Sequence, residues 1–313
     1  HESLHAIGCH PVPSRCHPVP AGAQPLRSAK LYSAQKPPPE LPVTDPCLLA
    51  PPAAFLAASR APDALLLDVR DPELRAAGHL PGARALPYAS YVVPRPPAMG
   101  GLPDLDTLAR VLGAIGYEPG RLVLAYDEGG SGKAARLLWT LAALGHTRMA
   151  LLDGGLSALQ NETTTLLTRE AEPVTPTTPQ LAWAQGIVAE RDWVVAHLCD
   201  PDVLLLDTRS AGEYAGFDVR AARGGHIPGA INLDWSTAFD PGRRPRTKPI
   251  EHLRSQLLAA GVDPAREIVV YCQTHHRSAH TWVVLKALGY PRVRGYAGAW
   301  SEWGNTPGMP IEP

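Results

Sequence analysis

The segment Cys272-Gln273-Thr274-His275-His276-Arg277-Ser278 brings a thiol, two imidazoles, a guanidinium and two hydroxyls together in one short stretch. Before it runs the apolar, strand-type segment Glu267 to Tyr271, and after it the stripe Trp282, Val283, Leu285 and Leu288 at helical spacing. Cys272 is therefore expected where a strand leads into a helix. The unpaired backbone N–H groups and the positive end of the helix dipole at such an entrance favour an anion. A thiol held there is disposed to act as a nucleophilic thiolate. Arg277 adds a permanent positive charge, and His275 and His276 are expected to add more at lower pH. Consecutive N–H groups from Gln273 to Ser278 could curl into a cradle around an anionic sulfur. The plain alternative is a buried, inert cysteine after a strand, against which the polar run beside it argues.

The elements that would position this loop emerge from an internal repeat. Leu65-Leu66-Leu67-Asp68-Val69-Arg70 with Gly78-His79-Leu80-Pro81-Gly82-Ala83 returns as Leu204-Leu205-Leu206-Asp207-Thr208-Arg209 with Gly225-His226-Ile227-Pro228-Gly229-Ala230. Leu122 to Asp127 likewise matches Glu267 to Cys272, so the halves read as duplicated domains. Each half alternates nearly continuous apolar runs with amphipathic stripes. Examples are Leu105, Leu108, Val111, Leu112 and Ile115 closed by Gly116, and Ile250 to Leu258 between Pro249 and Gly261. That alternation predicts an α/β fold, twice over, each half a parallel sheet flanked by helices. Asp68 and His79 recur as Asp207 and His226, which suggests a shared structural task. In the first half Asp127 takes the place of Cys272, so that domain is expected to be catalytically silent. Its Gly129-Gly130-Ser131-Gly132-Lys133 run falls short of a phosphate-binding P-loop, which needs Gly at position 127 and Ser or Thr at position 134.

With these residues in view, the chain resembles the tandem-domain rhodaneses, the thiosulfate sulfurtransferases, over roughly residues 41–310. The resemblance rests on the Leu-Asp-x-Arg strand ends, the Gly-His-Ile-Pro-Gly-Ala box, the Cys loop and the closing Tyr296-Ala297-Gly298-Ala299-Trp300-Ser301-Glu302-Trp303. The loop CQTHHRS is similar to that of one bacterial branch and departs from the CRxGxT and CGxGVT loops of other members, which leaves the sulfur donor open. The resemblance implies a persulfide on Cys272, an anionic sulfur donor such as thiosulfate, and a thiophilic acceptor such as cyanide. It also implies that Gln273, Thr274, His275, His276, Arg277 and Ser278 surround the substrate, that Arg209 binds it, and that Trp235 borders the site. For Arg209 a salt bridge to Glu213 or Asp207 stays open, and for Trp235 a plain core position. The basic run Arg243, Arg244, Arg246 and Lys248 reads as a solvated loop, with steering of an anionic donor as an alternative. A phosphatase or arsenate reductase and a noncatalytic persulfide carrier are the rival functions.

Composition narrows the partners. Twenty-nine Lys and Arg against 30 Asp and Glu leave a net charge of −1, which argues against nucleic acid and anionic membranes. No apolar run approaches the ~20 residues of a membrane span. Five cysteines in a chain this long suggest a reducing compartment, the cytoplasm, rather than a disulfide scaffold. No metal or cofactor is expected, and a monomer is. Residues 1–40, with the repeated CHPVP of Cys9 to Pro13 and Cys16 to Pro20, read as a disordered extension rather than a zinc site. The first Met is Met99, so the N-terminus is expected to be processed or incomplete. The domains are then expected at 41–160 and 180–313, joined by a Thr-, Glu- and Pro-rich linker over 161–179, with Thr306 to Pro313 as an extended tail.

Overall fold

The computed structural model describes residues 47–171 and 173–313. The expected disordered extension, with its two Cys-His pairs, lies outside these residues. The first half holds strands β1 (Leu49–Ala50), β2 (Ala64–Asp68), β3 (Arg84–Ala85), β4 (Val93–Arg95), β5 (Ala98–Gly101), β6 (Leu122–Tyr126) and β7 (Met149–Leu152). Its helices are α1 (Pro52–Ala58), α2 (Pro72–Ala77), α3 (Leu105–Ala114), α4 (Gly132–Ala143) and α5 (Gly155–Glu162). The second half holds β8 (Val188–Ala189), β9 (Val203–Asp207), β10 (Ile231–Asn232), β11 (Glu267–Tyr271) and β12 (Val293–Tyr296), with helices α6 (Arg191–Ala196), α7 (Ala211–Tyr214), α8 (Ile250–Ala259), α9 (Arg277–Ala287) and α10 (Ala299–Trp303).

The duplication read from the sequence is reproduced strand for strand. The first sheet runs β1-β7-β6-β2-β3, and the second runs β8-β12-β11-β9-β10, all parallel. Because side chains alternate along a strand, each central strand feeds two cores. Leu65 and Leu67 of β2 share one apolar cluster with Leu204 and Leu206 of β9 and with Ile268 and Val270 of β11. Leu66 faces a cluster confined to the first half, and Leu205 and Val269 face one confined to the second. The shared cluster also takes in Leu137, Leu138 and Trp139 of α4 and Trp282, Val283 and Leu285 of α9. These two helices follow equivalent loops and pack on each other. Every residue from Ala134 to Ala143 is buried, the pattern of a helix enclosed on all sides rather than a surface amphipath.

Three segments read as a linker, a tail and a solvated loop are held against the rest of the chain. Residues 163–187 form an irregular connection that is held along the first half: Thr177 N–H donates to the Gly113 carbonyl at 2.9 Å and Ala184 N–H to that of Ala143 at 2.8 Å. The tail is likewise docked, His226 and Glu312 exchanging backbone hydrogen bonds at 2.8 and 3.0 Å. The basic run is a clamp as well as a loop. Arg246 Nε donates to Asp153 Oδ2 at 2.7 Å, and the Thr247 N–H donates to Asp153 Oδ1 at 3.0 Å. Arg243, paired with Asp240 at the surface, and the exposed Arg244 fit the solvated reading. The first half also projects the antiparallel β4–β5 hairpin toward the second. Gly100 lies so close to the carbonyls of Thr274 and Ala297 that any Cβ there would collide with them. Among the described residues no helix is long and apolar enough to cross a membrane.

Candidate active site

Pairing of β9 with β11 sets Asp207 opposite Tyr271 at the carboxyl edge of the sheet, and Cys272 is the next residue. It is fully buried. Its carbonyl accepts from the Trp300 N–H and that of Gln273 from the Ser301 N–H, both at 2.9 Å, which ties the loop to α10. Four residues separate Cys272 from the first residue of α9, and the chain turns by placing His275 at φ 55°. A non-glycine residue there is strained by about 1 kcal/mol or more. The conformation is stabilised from below: His275 Nδ1 and Ser278 Oγ share a hydrogen bond of 2.7 Å, and the imidazole packs edge-on against Trp139 of α4, ring centres 4.2 Å apart. The N–H groups of Gln273, Thr274, His275 and His276 have no hydrogen-bond acceptor among the described residues. They are the donors a bound anion would use.

The charges around this loop are mostly paired. Arg277 forms a two-pronged bond to Glu213, Nη1 to Oε2 at 2.6 Å and Nη2 to Oε1 at 2.8 Å, while its charge also interacts with Cys272. Burial alone would raise the Glu213 carboxyl, but the bonds and charge of Arg277 and the Ser210 N–H hold it down at about 2. The histidines do not supply the charge expected of them. Burial, with Arg277, Lys133 and Arg136 adding to it, pushes His276 down to about 4, and burial pushes His275 well below its ordinary value. Both rings are neutral at physiological pH.

Of the residues singled out in the sequence, Cys272, Gln273, Thr274, His276 and Arg277 come together on one loop, with Trp235 beside His276 at 6.4 Å between ring centres. Gln273 Nε2 donates to the Arg220 carbonyl at 2.9 Å. Three residues turn elsewhere. His275 and Ser278 are fully buried against each other, so their side chains brace the loop from inside instead of facing a substrate. Arg209 is 1% exposed. Its Nε and Nη2 donate to the Asp207 carboxylate and Nη2 also to the Gly225 carbonyl, so substrate contact does not fit its placement. Arg70 repeats that arrangement on Asp68 and Gly78 in the first half. Sequence reasoning missed Glu213 as the partner of Arg277, and it missed Arg136 and His280. The helix-start spacing Ser210 to Glu213, a capping box in the structure, was a readable sign of where Glu213 would sit. No three His, Cys, Asp or Glu side chains among the described residues converge as a metal site requires.

In the first half the equivalent loop is already filled. The buried Asp127 carboxylate accepts from the N–H groups of Ser131 and Lys133, both at 3.0 Å, and Ala134 at 3.2 Å. Burial raises it to about 6 against the pull of these bonds. A cleft of about 180 Å³ lined by Arg70, Asp127, Lys133, Trp235 and His276 separates this loop from the second. Asp127 thus takes the part of a fixed anion where the second half has Cys272. Asp127→Ala is expected to leave the turnover number near that of the parent, because the loop bearing Cys272 keeps its own supports. A collapse of turnover in a folded Asp127→Ala protein would show that Asp127 acts across the cleft.

A family model for the rhodanese-like domain matches twice, over residues 51–162 and 190–306. The chain belongs to the rhodanese family. This tandem rhodanese is 40% identical to a thiosulfate sulfurtransferase of Azotobacter vinelandii over 85% of its own length and 97% of the relative's. It is also 40% identical to one from Pseudomonas aeruginosa, over 80% and 92%. A sulfur carrier protein of Thermus thermophilus is 32% identical over 75% of this chain and 85% of the other. Its fold is shared with a 3-mercaptopyruvate sulfotransferase from Escherichia coli, with a TM-score of 0.69 and 24% identity over 81% of this chain and 98% of that one.

Proposed function

We propose that this rhodanese is a thiosulfate sulfurtransferase with Cys272 as its nucleophile. The observation that carries the reading is a buried thiol at the β11–α9 junction, followed by a run of N–H groups without acceptors among the described residues and interacting with the charge of Arg277. The Cys272 thiolate attacks the outer sulfur of thiosulfate. A Cys272 S–S bond forms as the donor's S–S bond breaks, and the electron pair leaves with sulfite. Cyanide or another thiophile then bonds to the outer sulfur, the persulfide S–S bond breaks, and the thiolate returns. Arg277 and the N–H groups from Gln273 to His276 stabilise the negative charge carried through both steps. Thr274, His276 and Trp235 border the substrate. The relatives named as thiosulfate sulfurtransferases support this donor. Domains at 41–160 and 180–313, the first silent, and a cytoplasmic monomer that binds no nucleic acid complete the proposal. Incubation with thiosulfate should add one sulfur atom to Cys272 by intact mass and peptide mapping, and a chain that takes up none would overturn the assignment.

Loop length separates this reading from a phosphatase. Four residues stand between Cys272 and Arg277, where a phosphatase loop of this kind has five and rings a tetrahedral phosphate. The shorter loop, tightened by the left-handed His275, suits one added sulfur and crowds a phosphate. The expected result is sulfur uptake with negligible hydrolysis of p-nitrophenyl phosphate, and a one-residue insertion before Arg277 should shift the balance toward phosphate. Efficient phosphate hydrolysis through Cys272 without sulfur uptake would reverse the reading.

A further inference from the structure

Among the described residues, most cations near the loop have carboxylate partners. Arg277 is held by Glu213, Arg209 by Asp207, Arg70 by Asp68, Lys133 by Asp71 and Arg220 by Asp218. Arg136, on α4 of the first half, is fully buried and has no carboxylate within ion-pair distance among the described residues. Its acceptors are carbonyls alone: Gly100 at 2.6 Å and Gly101 at 3.4 Å from Nη2, and His275 at 3.3 Å and Thr274 at 3.5 Å from Nη1. Its Nε has no partner among the described residues, and the guanidinium lies 4.8 Å from the Trp139 ring centre. Burial pushes the guanidinium below its ordinary value, and Tyr88, Tyr91 and Cys272 act against that.

A buried charge without a counterion is costly unless something nearby balances it. Two of the acceptor carbonyls belong to the loop that bears Cys272, and Cys272 is among the groups that interact electrostatically with Arg136. In a trans peptide the N–H points opposite to the C=O. Drawing the Thr274 and His275 carbonyls toward Arg136 therefore sends the N–H groups of His275 and His276 the other way, and these are among the donors without acceptors.

We propose that Arg136 is a positioning residue of the sulfur-transfer site, supplied by the half that lacks the nucleophile. Its charge balances the anionic thiolate, persulfide and bound donor at Cys272, and its bonds to the loop carbonyls aim the N–H cradle. The inference rests on the reading of Cys272 as the sulfur-carrying thiol.

The test compares single-turnover loading of Cys272 by thiosulfate, a dianion, and by methanethiosulfonate, a monoanion. Both consume the same thiolate, so the ratio of their rates cancels the amount of thiolate and reads the charge at the sulfur. Arg136→Gln is expected to lower the thiosulfate-to-methanethiosulfonate ratio on the order of tenfold, whereas Arg136→Lys preserves it at neutral pH. A second comparison uses Arg136→Lys alone and decides the matter if Arg136→Gln does not fold. A buried ammonium loses its proton below the ordinary lysine value of about 10.4, so its ratio should fall between about pH 8 and 10 while that of the parent stays flat. Tyr88, Tyr91, His275 and Cys272 face the site in both proteins and cancel in the comparison. Ratios that match the parent in Arg136→Gln, or in Arg136→Lys across this pH range, overturn the role of Arg136. Failure of the parent itself to load sulfur overturns instead the function it rests on.

Discussion

Replacing Cys272 by Ala should abolish thiosulfate-to-cyanide sulfur transfer, a loss of roughly a thousandfold or more, whereas Cys199→Ala should leave most of it. The described chain has three free cysteines, and only Cys272 is buried. Cys47 precedes β1, and Cys199 lies in an exposed turn after α6. Neither occupies the junction of a central strand with a helix, where N–H groups converge on a sulfur. Steady-state thiocyanate formation by the two purified variants measures the difference. Substantial turnover in Cys272→Ala would sink the assignment of the nucleophile.

The second large effect is acid destabilisation. Burial, followed by neighbouring charges, lowers His276 to about 4, and burial does the same to His280. In the unfolded chain each titrates near its ordinary 6.5. Below that value the unfolded state binds protons that the folded state refuses. Stability is therefore whole above pH 6.5 and declines until the folded rings also protonate near 4, by about 3 kcal/mol for each ring. Asp127 works in the opposite sense. Its folded value, raised by burial to about 6 from 3.8, returns about 3 kcal/mol as pH falls through that window. For these three groups the net is a loss of about 3 to 4 kcal/mol between pH 6.5 and 4, to which the lowered His275 adds in the same direction, before Glu213, held at about 2, begins to release its own contribution below 4.5. Urea midpoints at pH 7 and 4.5 measure this loss. In His280→Leu, which removes two ring nitrogens without hydrogen-bond partners among the described residues, the fall should shrink by about 3 kcal/mol, most of its size. Equal midpoints for the parent at both pH values would refute the account.

Much of the architecture was legible because the repeat was. Apolar runs ending in Asp and Arg specified parallel strands, and their recurrence specified two sheets of one order. The nucleophile loop was legible for the same reason, being flanked by a clear strand and a clear helix. The directions of side chains within it were not. One left-handed residue, His275, decides that its ring and Ser278 point inward, and strand or helix periodicity says nothing about a six-residue turn. Arg209 offered two partners in sequence, and register decided for Asp207. The β4–β5 hairpin was hidden by Pro94, Pro96 and Pro97, which mask the period of a strand. Arg136 left one trace, a lone charge among Ala134, Ala135, Leu137 and Leu138. An enclosed helix is the natural reading of such a run, and it turns that arginine from a surface charge into a buried one.

The filled loop of the first half bears on which substitutions the chain could accumulate. Asp127 gathers three N–H groups onto a carboxylate that belongs to the chain itself, so this loop keeps its shape with no visiting anion. What the second half takes from the first is the packing face of α4, the strand β5 at Gly100 and the guanidinium of Arg136. Mutational tolerance should divide along that line. If the first half carries no chemistry, as proposed, it can drift in its old reaction loop, yet it remains bound by selection at every position its twin leans upon.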